Sequence, residues 1–575
     1  MKADLHHERG GEGSPAGVLA APCGGDTLAG VLAARAAREP SAVAYHLPES
    51  HGETRLTVRA LYDRARTAAA TLARAGLRPG GRACLCLDTS PDLLAALYGT
   101  MLLGGVPMLV EPPMSFARRR AWADRARQIV NVAEPAVFVC DSGVRPLAEE
   151  ILGSAGAVVC PPFRERAIEA EVVTVAPDAP ALIQFSSGTT AAPKGIVLSH
   201  RALFAAMKAI GGATPLHRDD VAVSWLPLYH DMGMVGATLT TLLFGVPAVL
   251  VSPLSFAARP KIWLDLMHRY GGTVSAAPNF AYRLVASLAD RLPLDGLDLS
   301  GWRVAFNGAE VVDAATLRLW QRTLGPYGFR PEAMRTCYGL AEIGLAASFS
   351  RSGATPRVEA LSAAALAGRG VALPPSSAQD TRELVSSGLP VPGVGIRIVD
   401  DAGGELPDGI VGRVLMTGDS MMTGYLSENG IETYDGSLDT GDLGFTLDGE
   451  LFVTGRHKDL IIIAGRNYQP QPFEQAAATV NGVRAVGVAA LGLPDAGSGT
   501  ERLVIVVETP LHRDAARSER LRQEVERAVV GETGVRPGRV AVVRPGTLPR
   551  TSSGKLRRPF LTAMMTAESP PEDPR

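Results

Sequence analysis

Apolar residues along the chain fall into short runs that alternate with longer helical segments. Compact runs rich in Val, Leu and Ile, such as 106–110 and 248–251, predict buried strands. The segment TLAGVLAARAARE, which starts at Thr27, predicts a helix capped by Asp26 or Thr27. Short strands that alternate with helices are typical of parallel sheets joined by crossover helices. The pattern therefore predicts an α/β protein.

One apolar pattern occurs twice in the chain. Residues 105–116 (GVPMLVEPPMSF) match residues 245–256 (GVPAVLVSPLSF), 140 positions later, and each copy follows an apolar helical run. A repeated unit of helix, Gly-x-Pro and strand predicts two related α/β lobes. Chance similarity between two Gly/Pro turns is the alternative.

The pattern changes after the two lobes. Residues 391–453 contain short strands with Asp-Gly and Gly-Gly turns, which predict hairpins and a small β-rich subdomain. A compact α/β segment follows at 456–562 and could fold separately as a small C-terminal domain. We therefore expect a large domain at 26–455, and the polar ends at 1–25 and 563–575 are expected to be disordered.

Composition and charge narrow the class of protein. The 575 residues are 46% hydrophobic and 20% charged, which is ordinary for a folded soluble protein. A net charge of −2 gives no basic excess for binding nucleic acid or an anionic membrane. The uncharged stretch 232–258 is the one candidate for a membrane span, but its glycines and prolines favour a buried helix, turn and strand.

The six cysteines are scattered without a CxxC pair, and Cys84 and Cys86 alternate along an apolar run that suits packing. Reduced thiols of this kind predict a cytoplasmic location.

The segment 186–195 (SSGTTAAPKG) carries the most specific chemical signal. Its glycines allow backbone N–H groups to turn towards an anion, and its hydroxyls and Lys194 add donors and charge. A Walker loop has glycine before the lysine, Ser or Thr after it, and then a helix. Here Pro193 precedes Lys194, Gly195 follows, and the next residues predict a strand. The segment predicts a polyphosphate site between two strands, and a flexible Ser/Thr/Gly loop is the alternative.

Four further clusters suit nucleotide chemistry, and each has a plainer alternative. Asp442 could bind both ribose hydroxyls or be an ordinary turn residue. The loop 307–310 could accept a purine ring, and the segment 338–342 offers an aromatic face and a carboxylate for Mg²⁺; either could be a turn or a capped helix. Residues 549–558 place Lys555 on a cationic Gly/Ser loop, or form a solvated basic tail.

Taken together and in this order, the clusters resemble those of the adenylate-forming superfamily, which includes acyl-CoA synthetases, nonribosomal-peptide adenylation domains and luciferases. The resemblance extends from about residue 26 to 562, and it is carried by SSGTTAAPKG (186–195), FNGAE (306–310), YGLAE (338–342), TGDLG (440–444), GRHKD (455–459) and SSGKLRR (552–558).

Within the superfamily the chain is most similar to the fatty acyl-AMP ligases. The similarity lies in WLPLYHDMG (225–233) and GRNYQPQ (465–471). Residues 353–385, which are rich in Ala, Gly, Pro and Ser and predict one weak helix, stand where these ligases carry an insertion. In that family the insertion restrains the small domain, and the coenzyme A pocket is missing.

The resemblance implies a large domain followed by a mobile C-terminal lid. It also implies that ATP and Mg²⁺ convert a fatty acid to an acyl-adenylate with release of pyrophosphate. The acyl group would then pass to the phosphopantetheine thiol of an acyl carrier protein of a polyketide or nonribosomal-peptide system. An acyl-CoA synthetase, an amino-acid adenylation domain (with Asp231 as the acid near the α-amine) and a degenerate homologue that binds without turnover are the alternatives.

The resemblance further implies a role for each matching residue. Lys555 would bridge the α-phosphate and the attacking carboxylate, Glu342 would hold Mg²⁺, and Lys458 would be the hinge. The phosphates would contact Ser186, Ser187, Gly188, Thr189, Thr190 and Lys194, with Thr190 also counted as catalytic. The base and ribose would contact Asn307, Gly308, Ala309, Glu310, Tyr338, Gly339, Leu340, Ala341, Asp442 and Arg456. The acyl site would be formed by Trp225, Tyr229, His230 and Asp231, with His230 at its entrance as a catalytic residue.

Two positions depart from the family pattern. Ala191 stands where the family usually has Gly, which could stiffen the phosphate loop. Asp439 stands where it usually has Arg, and an extra acid there could weaken ATP binding or simply face solvent.

Overall fold

The structure is a computed structural model, and it describes most of the chain. The described residues are 26–49, 52–113, 119–163, 172–185, 193–463, 466–484, 486–494, 501–550 and 556–566. The N-terminal extension 1–25, the phosphate-loop residues 186–192 (Ala191 included) and Lys555 lie outside them.

Helices and strands alternate through the first part of the chain, as the apolar pattern predicts. The helices are Leu28–Arg38 (α1), Val58–Arg74 (α2), Pro91–Leu102 (α3), Arg119–Ala133 (α4), Arg145–Leu152 (α5), His200–Ala213 (α6), Thr241–Phe244 (α7), Pro253–Ala258 (α8), Ile262–Tyr270 (α9), Asn279–Leu288 (α10), Ala314–Leu324 (α11), Ala363–Arg369 (α12), Pro470–Ala478 (α13), Ala515–Thr533 (α14) and Arg558–Thr566 (α15). The predicted cap of α1 is confirmed, because the Thr27 hydroxyl accepts the N–H of Gly30.

The strands are Val43–Glu49 (β1), Gly52–Thr57 (β2), Arg82–Cys86 (β3), Val106–Leu109 (β4), Val137–Cys140 (β5), Ala157–Val159 (β6), Pro180–Phe185 (β7), Gly195–Ser199 (β8), Ala222–Ser224 (β9), Ala248–Leu250 (β10), Val274–Pro278 (β11), Val304–Gly308 (β12), Met334–Tyr338 (β13), Ser348–Phe349 (β14), Val358–Ser362 (β15), Thr381–Val385 (β16), Leu389–Pro390 (β17), Val394–Val399 (β18), Gly412–Gly418 (β19), Gly424–Ser427 (β20), Gly430–Thr433 (β21), Leu438–Leu447 (β22), Glu450–Arg456 (β23), Ile461–Ile463 (β24), Arg466–Tyr468 (β25), Val488–Pro494 (β26), Glu501–Glu508 (β27) and Arg539–Val543 (β28).

Two large sheets form the two predicted lobes. Over the described residues, the first sheet has the order β21-β20-β8-β7-β4-β3-β5-β6, and the second has the order β17-β14-β13-β12-β11-β9-β10-β1-β2. The repeated pattern contributes one inner parallel strand to each: β4 lies between β7 and β3, and β10 lies between β9 and β1. The two-lobe prediction is thus confirmed at the strands that suggested it.

The cysteines of β3 pack inside the first lobe, as expected. Cys84 and Cys86 are fully buried among the aliphatic side chains of that sheet. Burial raises the pKa of both thiols above the ordinary value, which keeps them protonated. They therefore act as packing groups.

The candidate membrane stretch is broken into short elements, as predicted. A π-helix at Met232–Thr240 leads directly into α7, and Gly245 in the left-handed region (φ 77°) turns the chain into β10. The hydroxyls of Thr238 and Thr240 donate to carbonyls five residues earlier, which suits the wider π-helical turn. In the described part of the chain, the helices are too short or too polar to cross a bilayer.

The region expected to be one β-rich subdomain at 391–453 is divided between two sheets. Strands β18, β19, β22 and β23 form a four-stranded antiparallel sheet in the described residues. The hairpin β20–β21 instead extends the first lobe, because β20 pairs with β8. Local turn signals predict hairpins correctly but do not say which sheet a hairpin joins.

The insertion at 353–385 contains the expected helix, α12. It also contains an antiparallel pair of strands, one before and one after this helix, which the sequence did not predict. Strands β15 and β16 pair along their length, and Leu361 and Leu384 pack against Phe445 and Phe452 of the four-stranded sheet. Helix α12 contacts β25 of the C-terminal segment.

The C-terminal segment has its own sheet and core. Strands β26, β27 and β28 form the sheet, and α13 and α14 cover it around Phe473, Val525 and Ile505. Helix α15 ends at Thr566, beyond the predicted boundary at 562. Residues 567–575 lie outside the described residues, so the tail stays a prediction.

Candidate active site

One large cavity lies where both lobes, the four-stranded sheet and the C-terminal segment meet. Its volume is about 1370 Å³, which exceeds the roughly 300–1,000 Å³ of ordinary small-molecule pockets. Three neighbouring parallel strands end at it, because Asn279, Ala309 and Tyr338 come at the carboxyl ends of β11, β12 and β13. Carboxyl ends of parallel strands are the usual location of binding sites in α/β folds.

Asp442 lies at the polar side of the cavity between two partners. The Tyr338 hydroxyl donates to its Oδ2 at 2.5 Å, and Arg456 Nε lies 3.2 Å from its Oδ1. The pairing of β22 with β23 sets the second contact, since Asp442 lies opposite Arg456. Burial, followed by the charge of Asp442, raises the pKa of Tyr338 well above its ordinary value. Tyr338 therefore stays a neutral donor, and the Asp442 carboxylate accepts its hydrogen bond.

The loop after β12 forms a narrow wall of the cavity. Ala309 has a left-handed backbone (φ 62°), an uncommon conformation for a residue with a side chain. Glu310 accepts the N–H of Phe280 at 2.5 Å, which ties the loop to α10. A Cβ on Gly308 would overlap Cys337, so glycine is required where β12 passes β13.

Glu342 and Lys194 are connected through a tyrosine that the sequence did not single out. Tyr425 on β20 donates its hydroxyl to Glu342 Oε1 at 3.2 Å, and Lys194 Nζ lies 5.1 Å from the centre of the Tyr425 ring. Lys194 immediately precedes β8, and β20 pairs with β8, so the sheet brings the two residues together. Burial raises the pKa of Glu342 above its ordinary value, and the Tyr425 hydrogen bond partly opposes this shift.

The residues near Glu342 fit a magnesium ion that arrives with a phosphate ligand. Among the described residues, no group of three or more His, Cys, Asp or Glu side chains is arranged to hold a metal ion by itself. Mg²⁺ in phosphate-transfer sites takes one or two carboxylates and completes its shell with phosphate oxygens and water. Glu342, one of several carboxylates that line the cavity, could supply such a ligand.

Aromatic side chains form another part of the cavity lining. Trp225 stacks on Phe256 with ring centres 3.6 Å apart, and the edge of Trp263 supports it. Tyr229 and His230 follow, with their rings 5.0 Å apart, and the Asp231 carboxylate accepts the N–H of Met232 at the start of the π-helix.

A further part of the lining is mainly apolar. We call this part the apolar chamber and define it by lining residues in or close to α6, the π-helix and the second sheet: Ile210, Leu216, Gly236, Ala237, Val246, Val274, Ala276, Phe306, Leu345 and Phe349. It suits a hydrocarbon chain.

Basic side chains from the C-terminal segment complete the polar side. Arg550, Arg557 and Arg558 line the cavity on either side of Lys555 in the sequence. Arg558 is anchored: it pairs with both carboxylate oxygens of Glu474 at 2.6 and 3.1 Å and lies 3.3 Å from Asp459. Burial disfavours its charge, but Glu474 and Asp459 more than compensate and raise its pKa. This ion-pair group connects the end of the Lys555 segment to the turn that contains Lys458.

Replacing Arg558 by alanine is expected to destabilise the C-terminal segment by about 3–5 kcal/mol, because it leaves the partly buried Glu474 without its cation. Differential scanning calorimetry measures the change. Arg536→Ala is the matched control in the same segment, because the Arg536 side chain is 81% exposed and its pair with Glu526 is worth at most about 1 kcal/mol. Equal stability changes in both variants would show that the ion pair between Arg558 and Glu474 does not stabilise the C-terminal segment.

The cavity brings most of the sequence-predicted residues together. These are Trp225, Tyr229, His230, Asp231, Ala309, Glu310, Tyr338, Gly339, Leu340, Ala341, Glu342, Asp442, Arg456 and Lys458. Asn307 and Gly308 lie behind the wall rather than in it, since Asn307 is fully buried and donates to Asn279. Ser186, Ser187, Gly188, Thr189, Thr190 and Lys555 are outside the described residues, so their roles stay predictions.

Asp439, the acid that stands where the family usually has Arg, forms an ion pair with an arginine side chain. It pairs with Arg413 at 2.6 Å and accepts the N–H of Gly441, and it is not among the residues that line the cavity. This ion pair could not be predicted from the sequence, because it depends on the register between β19 and β22.

Comparisons with known proteins point to one family of enzymes. A family model described as AMP-binding enzyme matches residues 32–426. A putative ligase of Mycobacterium tuberculosis is 35% identical over 531 residues, which cover 90% of this chain and 96% of that protein. The medium-chain-fatty-acid–acyl-carrier-protein ligase JamA of Moorena producens is 32% identical over 507 residues, with 83% and 84% covered. A solved structure from a study of fatty acyl-adenylate ligases of E. coli and L. pneumophila has a TM-score of 0.85 at 30% identity, and 94% of this chain and 99% of that chain are covered.

Proposed function

The chain belongs to the AMP-binding enzyme family, and we propose that it is a fatty acyl-AMP ligase that loads an acyl carrier protein. One observation carries the proposal: a single cavity joins a polar side, with Asp442 and Tyr338, to an apolar chamber. An adenylate with a hydrocarbon tail has this same division of polar and apolar parts. The names of the relatives support the same substrate class.

In the first step an oxygen of the fatty acid carboxylate attacks the α-phosphorus of ATP. The bond from that phosphorus to the bridging oxygen breaks, so pyrophosphate leaves and acyl-AMP forms. Asp442 would accept the ribose hydroxyls beside Arg456, while Ala309 and Tyr338 would line the adenine. Lys555 would neutralise charge between the carboxylate and the α-phosphate, and such preorganised charges are typically worth about 10²–10³ in rate.

Glu342 would hold Mg²⁺ from the protein side, and Lys194 with the loop 186–190 would bind the outer phosphates. When bound there, Mg²⁺ would supply positive charge against the charge of the departing pyrophosphate. Tyr425 would keep Glu342 and Lys194 in place, because it contacts both side chains.

In the second step a phosphopantetheine thiol attacks the acyl carbonyl carbon. The bond from that carbon to the phosphate oxygen breaks, AMP leaves, and the thiol proton passes to solvent. Lys458 lies in the turn that follows β23, between the four-stranded sheet and the C-terminal segment. This turn is where the small domain would pivot between the two steps.

The acceptor is tested by competition between two thiols. The protein is incubated with ATP, Mg²⁺ and decanoic acid, and then with equal amounts of coenzyme A and a holo carrier domain from a polyketide synthase. We expect mass spectrometry to show decanoyl groups on the carrier and at most traces of decanoyl-CoA. The apo carrier, which lacks the thiol arm, is the control and should stay unloaded. Faster formation of decanoyl-CoA would instead identify an acyl-CoA synthetase.

A further inference from the structure

Strand β11 forms one long wall of the apolar chamber. Val274, Ala276 and Pro278, which are alternate residues of this strand, line the cavity. Val274 and Ala276 are partly exposed, whereas Ser275 and Ala277 between them and Pro278 are buried. Because alternate side chains of a strand point to the same face, the cavity follows β11 from its carboxyl end to its amino end.

The two ends of this wall differ in their surroundings. The carboxyl end of β11 is level with those of β12 and β13, where the adenylate group would be held. At the amino end, Val274 pairs with Ala222 of β9, and Leu216 and Val246 also line the chamber. These last three residues are at most 6% exposed. The reacting carboxyl group therefore belongs at one end of β11 and the tip of the hydrocarbon chain at the other.

The amino end is closed by residues 214–220, which connect α6 to β9 and which we call the floor segment. Asp220 fastens this segment to the neighbouring strands: it accepts the Thr273 hydroxyl at 2.7 Å and two guanidinium nitrogens of Arg303 at 2.5 and 3.2 Å. Arg335 donates to the carbonyl that precedes the segment at 2.9 Å. Asp220 and Arg335 are each 3% exposed, so the floor moves only if buried charged contacts break.

A second wall is the π-helix, which contacts both β11 and α6. Gly236 and Ala237 line the cavity and leave room along this helix. The hydroxyls of Thr240 and Thr241 donate to main-chain carbonyls at 2.7 and 2.8 Å. This wall thus makes no polar demand on its ligand, and it suits an unsubstituted methylene chain.

The length of β11 can be converted into a number of carbon atoms. The four residue steps from Pro278 to Val274, at about 3.3 Å each, span about 13 Å. An extended chain with bonds of about 1.52 Å and angles of about 111° advances about 1.25 Å per bond. About ten bonds therefore fit between the carboxyl carbon and the floor segment, which corresponds to an acid of about ten to twelve carbons.

We propose that this protein activates medium-chain fatty acids of about ten to twelve carbons and that the floor segment excludes longer chains. The inference rests on the proposed function and narrows its substrate class from fatty acids in general to medium-chain acids. Val274, Ala276 and Leu216 then determine specificity and take no part in the chemistry. A methylene group inside the chamber gains burial, whereas one beyond the limit forces the chain to bend or the floor to move.

The first test compares kcat/KM for carboxylate-dependent ATP–pyrophosphate exchange across unbranched saturated acids of four to eighteen carbons. We expect kcat/KM to rise by about three- to four-fold per carbon up to the limit. Between twelve and sixteen carbons it should fall by about ten-fold or more. A maximum at sixteen or eighteen carbons, or equal values from ten to eighteen, would overturn the length limit.

Variants then locate the limit along β11. Ala276→Phe and Val274→Phe place the same ring at two depths that are about 6.6 Å apart. The longest acid accepted should therefore be about five carbons shorter for Ala276→Phe than for Val274→Phe. Leu216→Ala removes a side chain of the floor and should lengthen the accepted acid by about two carbons, a gain that misfolding cannot produce.

Ala315→Phe is the matched control for the two phenylalanine variants. It adds the same ring to an exposed position of α11 outside the lining of the cavity. Its profile of kcat/KM against chain length should match that of the wild type.

The results distinguish this inference from the proposed function. Equal limits in the two phenylalanine variants, with no gain in Leu216→Ala, would overturn the chain-length assignment and leave the ligase proposal intact. Failure of every acid to support exchange would overturn the ligase proposal. In that case calorimetric binding of sulfamoyl analogues of acyl-adenylates with six to eighteen carbons decides on the chamber. The affinity should rise up to ten or twelve carbons and then fall, and a constant affinity would overturn the length limit as well.

Discussion

Replacing Lys555 by alanine is expected to reduce carboxylate-dependent ATP–pyrophosphate exchange by about 10²–10³-fold or more. The resemblance places this lysine between the α-phosphate and the attacking carboxylate, where negative charge develops. Arg550 and Leu556, on either side of Lys555 in the sequence, form an isolated antiparallel bridge, and both line the cavity. The exchange rate at saturating decanoic acid and ATP measures the effect.

The control for this variant is another lysine. Lys208→Ala removes an exposed lysine of the large domain, close to Phe204 and outside the lining of the cavity, and should leave exchange within about two-fold of wild type. Both variants should unfold at the wild-type temperature. Exchange by Lys555→Ala at the wild-type rate would refute the assignment of the catalytic lysine.

Replacing Asp442 by alanine is expected to lower kcat/KM for ATP by about 10²-fold, mainly through a higher KM. The carboxylate is the acceptor proposed for both ribose hydroxyls, and hydrogen bonds to charged groups are worth about 1.5–3 kcal/mol each. The variant also leaves Tyr338 and Arg456 without their shared partner. Initial rates of acyl-AMP formation over a range of ATP concentrations separate KM from kcat.

Asp439→Asn is the matched control, since it removes a carboxylate three residues away in the same strand. Asp439 pairs with Arg413 outside the cavity, so its KM for ATP should stay within about two-fold of wild type. A large rise in KM for Asp439→Asn, with little change for Asp442→Ala, would show that the two acids have been assigned the wrong roles.

Features that depend on a short stretch of chain could be predicted from the sequence. The Thr27 cap needs only a hydroxyl three residues before the N–H that it accepts, and the repeated Gly-x-Pro pattern is itself the end of one helix and the start of the next strand. The position of Ala309 at a strand end could be predicted, because it directly follows an apolar run in the sequence, whereas Tyr338 is the last residue of β13 and Glu342 follows that strand.

Features that depend on distant pairing could not be predicted in this way. Strand β1 crosses to the second sheet to pair with β10, and β20 returns to the first sheet to pair with β8. The roles of Tyr425 and Arg558 follow from such contacts, with partners 83 and 84 positions away in the sequence.

The most direct test of the central claim is mass spectrometry of the adenylates formed by the purified protein. The protein is given ATP, Mg²⁺ and one equimolar pool of amino acids, short-chain acids, fatty acids of six to eighteen carbons and oxygenated fatty acids. We expect acyl-AMP from medium- or long-chain acids, with equal amounts of pyrophosphate, and none without ATP. The formation of aminoacyl-AMP only, or of no adenylate although ATP binds, would contradict the proposal that this protein is a fatty acyl-AMP ligase.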